Sequence, residues 1–363
     1  MKFYKMKHLT NLLVQSFLFC LFLSSLLFSE VIKIKESFTL NLLPINKEAF
    51  ALWKQEFAPP EIYEGFNGEL IINRFAYLQI CSSQGNGTKL VGSYGQGPGE
   101  FYGIGAIQKA NDSYFILDPL QGTLSIFNKD FTFQRRLLLF YEGVSNVIQG
   151  ISVNGKFIAT AQYRRQILKN GTKTRAINIY DINGKWQKAL FEIDKFQKKL
   201  KNYPETLLRG HVLLDGQDIY FCFTPINCIW KINFQGEVLK EKWFGQKWWK
   251  YIKYDLNEKK KFTRRKPAWI YDIQAEETGY RIMAIFKYRD YLGLQISKDA
   301  NNLLDYCYIL LDKNFSWESE QIYLADFFPA GYGENCLYLA KMIEFKTPYE
   351  ESKAKILKCT IEK

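Results

Sequence analysis

Few residues in this 363-residue chain are equipped for acid–base or metal chemistry. Only two histidines occur, His8 and His211, and the first lies in an apolar leader. One remaining imidazole builds no multi-histidine zinc site, so His211 is expected to line a loop-bearing mouth or to sit in the core. No Gly-x-Ser-x-Gly offers a nucleophile elbow, and no Cys-x-x-Cys offers a zinc knuckle or a dithiol pair. Asn146, Asp215 and Asp272 could supply oxygen ligands to calcium, as a calcium-dependent lactonase or hydrolase would need, but no spacing rule singles them out. Arginines are the other candidates. The planar forks of Arg74, Arg164, Arg165, Arg209 and Arg289 suit carboxylate, sulfate or phosphate.

A glycine-rich stretch, Gly92-Ser93-Tyr94-Gly95-Gln96-Gly97-Pro98-Gly99-Glu100-Phe101, has the composition of a phosphate cradle without its context. A cradle needs a helix starting at the loop, whereas Tyr102 to Leu117 alternates as strands do. The stretch is therefore expected to be a sharp structural corner. Gly95, Gly97 and Gly99 can take positive φ, Pro98 stiffens the loop, Glu100 can accept bonds from its amides, and Phe101 can anchor its exit.

The elements around these residues read as short strands in a repeat. Asn67-Gly68, Asn111-Asp112, Asn154-Gly155, Asp215-Gly216, Glu277-Thr278-Gly279 and Gly333-Glu334-Asn335 each separate two apolar runs, as hairpin turns do. The first three are spaced about 43 residues apart, the size of a four-stranded propeller blade. A second series follows the first: Gly85-Asn86-Gly87, Asn128-Lys129-Asp130, Asn183-Gly184, Gln235-Gly236 and Lys313-Asn314. Six leading turns predict six blades, with longer later intervals holding inserted loops. Val31-Ile32-Lys33-Ile34-Lys35 alternates but lacks a partner, and the last blade lacks a strand after Ile356–Ile361. Pairing the two would close the ring and remove exposed sheet edges.

The run Gly-Gln-Gly-Pro-Gly-Glu-Phe (95–101), followed by Phe115-Ile116-Leu117-Asp118 and Leu124-Ser125-Ile126-Phe127-Asn128, resembles the exported bacterial six-bladed β-propellers related to NHL repeats. The match is good over residues 60–140 and extends beyond them only as a pattern. It implies a six-bladed propeller, usually a binding scaffold, with no activity shared across the family.

In such a ring the loops joining second and third strands emerge on the same face as those leading into each blade. Arg74, Arg164, Arg165 and Arg289 fall on the former and Arg209 begins the fourth blade, which would gather five arginines at one channel mouth, with Tyr102 and Trp269 lining it. An anionic ligand there and exposed charges paired with acids such as Asp118 and Asp290 are equally open readings. Residues 240–272 carry Trp243, Trp248, Trp249 and Trp269 among many lysines and arginines. They read as a short helix across the propeller or as a platform for an anionic glycan. Nucleic acid uses similar residues, but export removes that partner.

Residues 1–29 carry Lys2, Lys5 and Lys7 before an apolar run from Leu12 to Phe28, the pattern of a secretory signal; left uncleaved, the run could anchor the chain in a membrane. Removing it takes three lysines and lowers the formal charge from +12 to +9. Six cysteines then remain, with wide spacings; Cys222 and Cys228 could pair, but buried free thiols fit better. The sequence thus predicts an all-β chain: one six-bladed β-propeller over 30–363, built of four-stranded antiparallel blades and closed by its terminal strands. Its expected role is non-enzymatic binding of a protein or an anionic carbohydrate in the periplasm, the cell envelope or outside the cell.

Overall fold

The computed structural model describes residues 31–43, 61–87, 89–139, 148, 150–168, 171–196, 210–224, 226–244, 281–297, 306–344 and 352–362. Apart from one 3-10 turn at Ile193–Phe196, the regular structure among them is strand. After β1 (Val31–Leu42), β2 (Glu61–Glu64), β3 (Leu70–Arg74), β4 (Tyr77–Cys81) and β5 (Lys89–Val91) form one antiparallel group. The next comprises β6 (Ala106–Ala110), β7 (Ser113–Asp118), β8 (Thr123–Asn128) and β9 (Phe133–Leu138). β10 (Gly150–Val153), β11 (Phe157–Leu168), β12 (Gly171–Asp181) and β13 (Trp186–Glu192) follow, then β14 (Gly210–Asp215), β15 (Asp218–Phe223), β16 (Cys228–Asn233) and β17 (Val238–Trp243).

β18 (Arg281–Tyr288), β19 (Tyr291–Ser297) and β20 (Tyr306–Asp312) make a three-stranded sheet, and isolated bridges at Tyr308↔Ile322 and Leu311↔Glu318 lay residues 318–322 along its β20 edge. β21 (Phe328–Tyr332), β22 (Leu337–Glu344) and β23 (Ser352–Glu362) complete the chain. β1 pairs with β23 from Val31↔Glu362 to Leu42↔Ser352, so the first strand is the outer strand of the last group. A parallel pairing of β2 with β21, at Ile62↔Gly331 and Tyr63↔Tyr332, joins the last group to the first. Gly331 is needed there because a Cβ would overlap the Ile62 carbonyl.

The result is an all-β protein with a propeller-like arrangement of small antiparallel sheets. Middle strands are buried on both faces, so Tyr114-Phe115-Ile116-Leu117 and Cys307-Tyr308-Ile309-Leu310-Leu311 are continuous apolar runs. Outer strands face water, and Val238–Trp243 is correspondingly polar. Each seam between successive groups has its own apolar cluster. Ile71, Phe101, Ile116 and Phe127 fill one; Ile177, Phe191, Phe221 and Trp230 fill another; Leu40, Ile62, Phe328 and Tyr338 fill the seam between last and first. Burying side chains of this size contributes about 2–3 kcal/mol each.

The second turn series folds as one recurring hairpin. Gly85, Phe131, Gly184, Gly236 and Phe315 all adopt positive φ. Their amides donate to Ser82, Asn128, Asp181, Asn233 and Asp312 three residues earlier. In four of the five that earlier residue is Asn or Asp, whose side chain also accepts amides of the turn. In the first series Asn67-Gly68, Asn111-Asp112, Asn154-Gly155, Asp215-Gly216 and Gly333-Glu334-Asn335 join the expected strands. Glu277-Thr278-Gly279 lies outside the described residues.

The register of the β18 sheet differs from expectation. β18 packs beside β14 as β14 packs beside β10, so it is a first strand and its hairpin turn is Arg289-Asp290. Cys222 and Cys228 cannot pair: they lie in clusters on opposite faces of their sheet. The six described cysteines are all buried.

Candidate functional site

The glycine corner connects β5 to β6 and is held from three sides. Gly97 N donates to Glu100 Oε2 at 2.6 Å and Ser93 Oγ donates to Oε1, so the one acidic side chain of the loop closes it. Gly95 and Gly99 take positive φ; Gly97 does not. Phe101 is fully buried against Phe127. Arg136, reaching over from β9, donates to the carbonyls of Gln96, Gly97 and Glu100, each at 2.7 Å. Asp118 accepts the amides of Tyr102, Leu120 and Gln121, and Tyr102 packs on Tyr94 while accepting from Gln96. Tyr102 and Asp118 are thus parts of this corner: Asp118 is no partner for an arginine.

Arg74 stands at the end of β3, at the turn into β4, as expected. The side chain is half-buried: Nη2 donates to the carbonyl of Leu43 at 2.8 Å, and Nε is buried with no partner among the described residues. Among the described residues no carboxylate stands against it, and burial lowers its pKa to about 10. Arg164 and Arg165 occupy the far end of the β11–β12 hairpin, opposite Arg175 and Thr174. Arg289 does not join them. It sits in a first-to-second strand turn, at the other end of the sheets, with its guanidinium 5.3 Å over the Tyr288 ring and Nη1 donating to Ile361 O. The reason is the strand register: the apolar run 281–288 precedes that turn, not the run before Glu277. Arg209 and Trp269 lie outside the described residues, as do Asn146, Asp272 and most of the 240–272 segment.

His211, on β14, shares a 3.1 Å hydrogen bond between Nε2 and Thr224 Oγ1. Asp215 ends the same strand and pairs with Lys287 at 3.0 Å and Lys313 at 2.5 Å. Burial raises its pKa, and the two lysines outweigh that and hold it below the usual range. Among the described residues no three His, Cys, Asp or Glu side chains gather at one point.

Sequence reasoning missed a polar cluster on β2. Glu61 and Tyr63 alternate onto one face, and Tyr63 Oη donates to Glu61 Oε2 at 3.2 Å. Asn73, opposite Glu61 in β3, donates from Nδ2 to the same oxygen at 3.0 Å and to Ile104 O at 2.9 Å, while its Oδ1 accepts Phe75 N. Across the β2–β21 seam Tyr332 lies with its ring centroid 6.4 Å from that of Tyr63, the rings inclined by 69°, and stacks on Phe286 at 4.1 Å. Tyr63 and Tyr332 also line a cavity of about 200 Å³ bounded by first strands of several sheets, with Lys109, Leu213, Lys287 and Glu334 around it. Glu61 keeps solvent-exposed surface and is not part of the cavity lining. Burial raises its carboxyl, opposed by the bonds from Asn73 and Tyr63. Burial and the nearby Glu61 push both tyrosine hydroxyls up, so they stay protonated. The polar–apolar–aromatic order Glu61-Ile62-Tyr63 was the available signal.

Small antiparallel sheets packed face to face about a passage lined by first strands define a propeller-like protein. No protein-family model matches the sequence, and no curated protein does. Solved structures do. A Bacteroides fragilis protein named as exported is 13% identical with a TM-score of 0.52, covering 92% of this chain and 97% of that one. A DUF4221 family member from Bacteroides vulgatus is 11% identical with a TM-score of 0.48, covering 92% and 99%. Virginiamycin B lyase of Staphylococcus aureus is 12% identical with a TM-score of 0.43, covering 90% and 99%. At these identities the likeness extends to the fold and no further.

Proposed function

We propose that the chain is an exported, non-enzymatic six-bladed propeller that binds an anionic ligand, a protein carboxylate or an acidic carbohydrate, at the end of the ring where Arg74 lies. The six blades are the antiparallel groups beginning at β2, β6, β10, β14, β18 and β21, with β1 supplying the outer strand of the last. Export rests on the leader at 1–29 and agrees with the name of the Bacteroides fragilis relative.

The observation that carries the binding reading is Arg74. A guanidinium partly taken out of water is costly unless a counter-charge meets it, and among the described residues one carbonyl meets it. A bound carboxylate or sulfate would supply that charge through the fork. Arg164 and Arg165 belong to the second-to-third hairpin of their own blade, at the same end.

The test is calorimetric titration of the purified protein with inorganic sulfate, a sulfated hexasaccharide, an oligouronate and a glutamate-rich peptide. At least one is expected to bind with an affinity that falls as salt rises, and Arg74→Gln should weaken it about tenfold or more, in line with a hydrogen-bonded charge pair. Equal binding by wild type and Arg74→Gln, or no binding of any anion, would refute the assignment.

A further inference from the structure

We propose a second site, on the face of β2 and β3 turned away from Arg74, in which Glu61, Tyr63 and Tyr332 bind a small organic ammonium ion. Three features of the geometry carry it. First, Glu61 has no cationic partner among the described residues: its two hydrogen-bond donors, Tyr63 Oη and Asn73 Nδ2, are neutral and both meet Oε2. The second carboxylate oxygen is left for a ligand. Second, the carboxylate is positioned rather than loose. Asn73 is itself fixed at both ends, by Ile104 O and by Phe75 N, so it holds the Glu61 carboxylate in place. Third, the neighbouring walls are aromatic. Tyr63 and Tyr332 stand edge to face, and Phe286 stacked behind Tyr332 keeps that ring in place.

A carboxylate beside inclined tyrosine rings is the chemistry that recognises an alkylammonium: the charge meets the carboxylate and the methyl or methylene groups meet the rings. The other charged groups of the cavity are already committed. Lys287 pairs with Asp215, Lys109 with Gly65 O and Glu334, and Glu64 with Lys358. Glu61 lies outside that lining, hydrogen-bonded to Tyr63, and has no cation among the described residues. The site is also independent of the proposed anion site, because Asn73 and Arg74 are consecutive in a strand and project to opposite faces.

The probes are tetramethylammonium and methylammonium chloride, titrated into the purified protein at constant ionic strength against sodium chloride. Binding is read by calorimetry and by the intrinsic tyrosine fluorescence. Saturable one-to-one binding of at least one amine is expected, weakened about tenfold or more in Glu61→Gln and in Tyr332→Leu. Tyr332→Phe, which keeps the ring, should bind within about threefold of wild type, and Glu64→Gln, which removes a carboxylate already paired, should do the same. Thermal melting of each variant confirms that it is folded. Absence of saturable amine binding, or equal binding by Glu61→Gln, would overturn the proposal; retention of sulfate or peptide binding in that case would leave the Arg74 reading standing.

Discussion

A carboxylate partly desolvated by its neighbours is a stability liability when ionised, because protein solvates charge less well than water does. Burial raises the Glu61 pKa above its usual 4.5 despite the bonds from Asn73 and Tyr63. A group whose folded-state pKa is raised contributes stability that is present below its unfolded pKa and is lost as pH rises through the folded value. Glu61→Gln is therefore expected to melt at a higher temperature than wild type at neutral pH. The gap should close as pH is lowered toward 4.5, where wild-type Glu61 takes up its proton. Asp215, held below its usual 3.8 by its two lysines, moves the other way and costs stability only at lower pH, as pH falls from 3.8 through the folded value; the difference between the variants isolates Glu61. A variant that is less stable than wild type at every pH would show that the ionised carboxylate is favourable in place. Conventional core positions carry no such penalty, so a gain on neutralisation marks Glu61 as kept for binding.

Among the elements, the glycine corner was legible from its sequence and its fastening was not. Gly95, Gly99, Glu100 and Phe101 announce a turn, a closing carboxylate and an anchor, and those roles are local. Arg136 lies 35 or more residues away on an outer strand, and nothing in its neighbourhood shows that it caps three loop carbonyls. Arg136→Ala removes those charge-assisted bonds together, a loss of about 2 kcal/mol. The expected readout is a lower denaturant midpoint with an unchanged slope and faster amide exchange at Gly97 and Phe101. Unchanged exchange there would mean that Glu100 holds the loop unaided. The same distinction explains the hairpins. Turns marked by Asn-Gly, Asp-Gly or Asn-Asp were placed correctly because those residues supply positive φ or side-chain acceptors. Arg289-Asp290 carries no glycine, yet Arg289 turns with φ 51° because Tyr288 and Ile361 hold it. The louder Glu277-Thr278-Gly279 displaced it in the reading and moved Arg289 to the wrong end of the sheets.

For the whole molecule the decisive element is β1, which begins the described chain and finishes the sheet that ends it. Its pairing with β23 was readable because Val31–Lys35 alternates and Ile356–Ile361 had no outer neighbour. Its continuation to Leu42 was not, since Phe38, Leu40 and Leu42 pack into a seam whose other residues are far off in sequence. Leu40 and Leu42 are 0% and 2% exposed, and burying them contributes about 2 kcal/mol each, a large part of the 5–15 kcal/mol that typically holds a domain together. Deleting residues 30–43 should therefore lower the melting temperature sharply and bare the β23 edge, which invites self-association. Light scattering should rise with concentration, and a synthetic 30–43 peptide added in trans should restore both the melting temperature and the monomer. The deletion also removes the Leu43 carbonyl that holds Arg74, so anion binding should fall with it and return with the peptide. Recovery of the fold without anion binding would separate the closing strand from the Arg74 site. An unchanged melting temperature would show that the seam between the last and first groups is held by β2 and β21 alone.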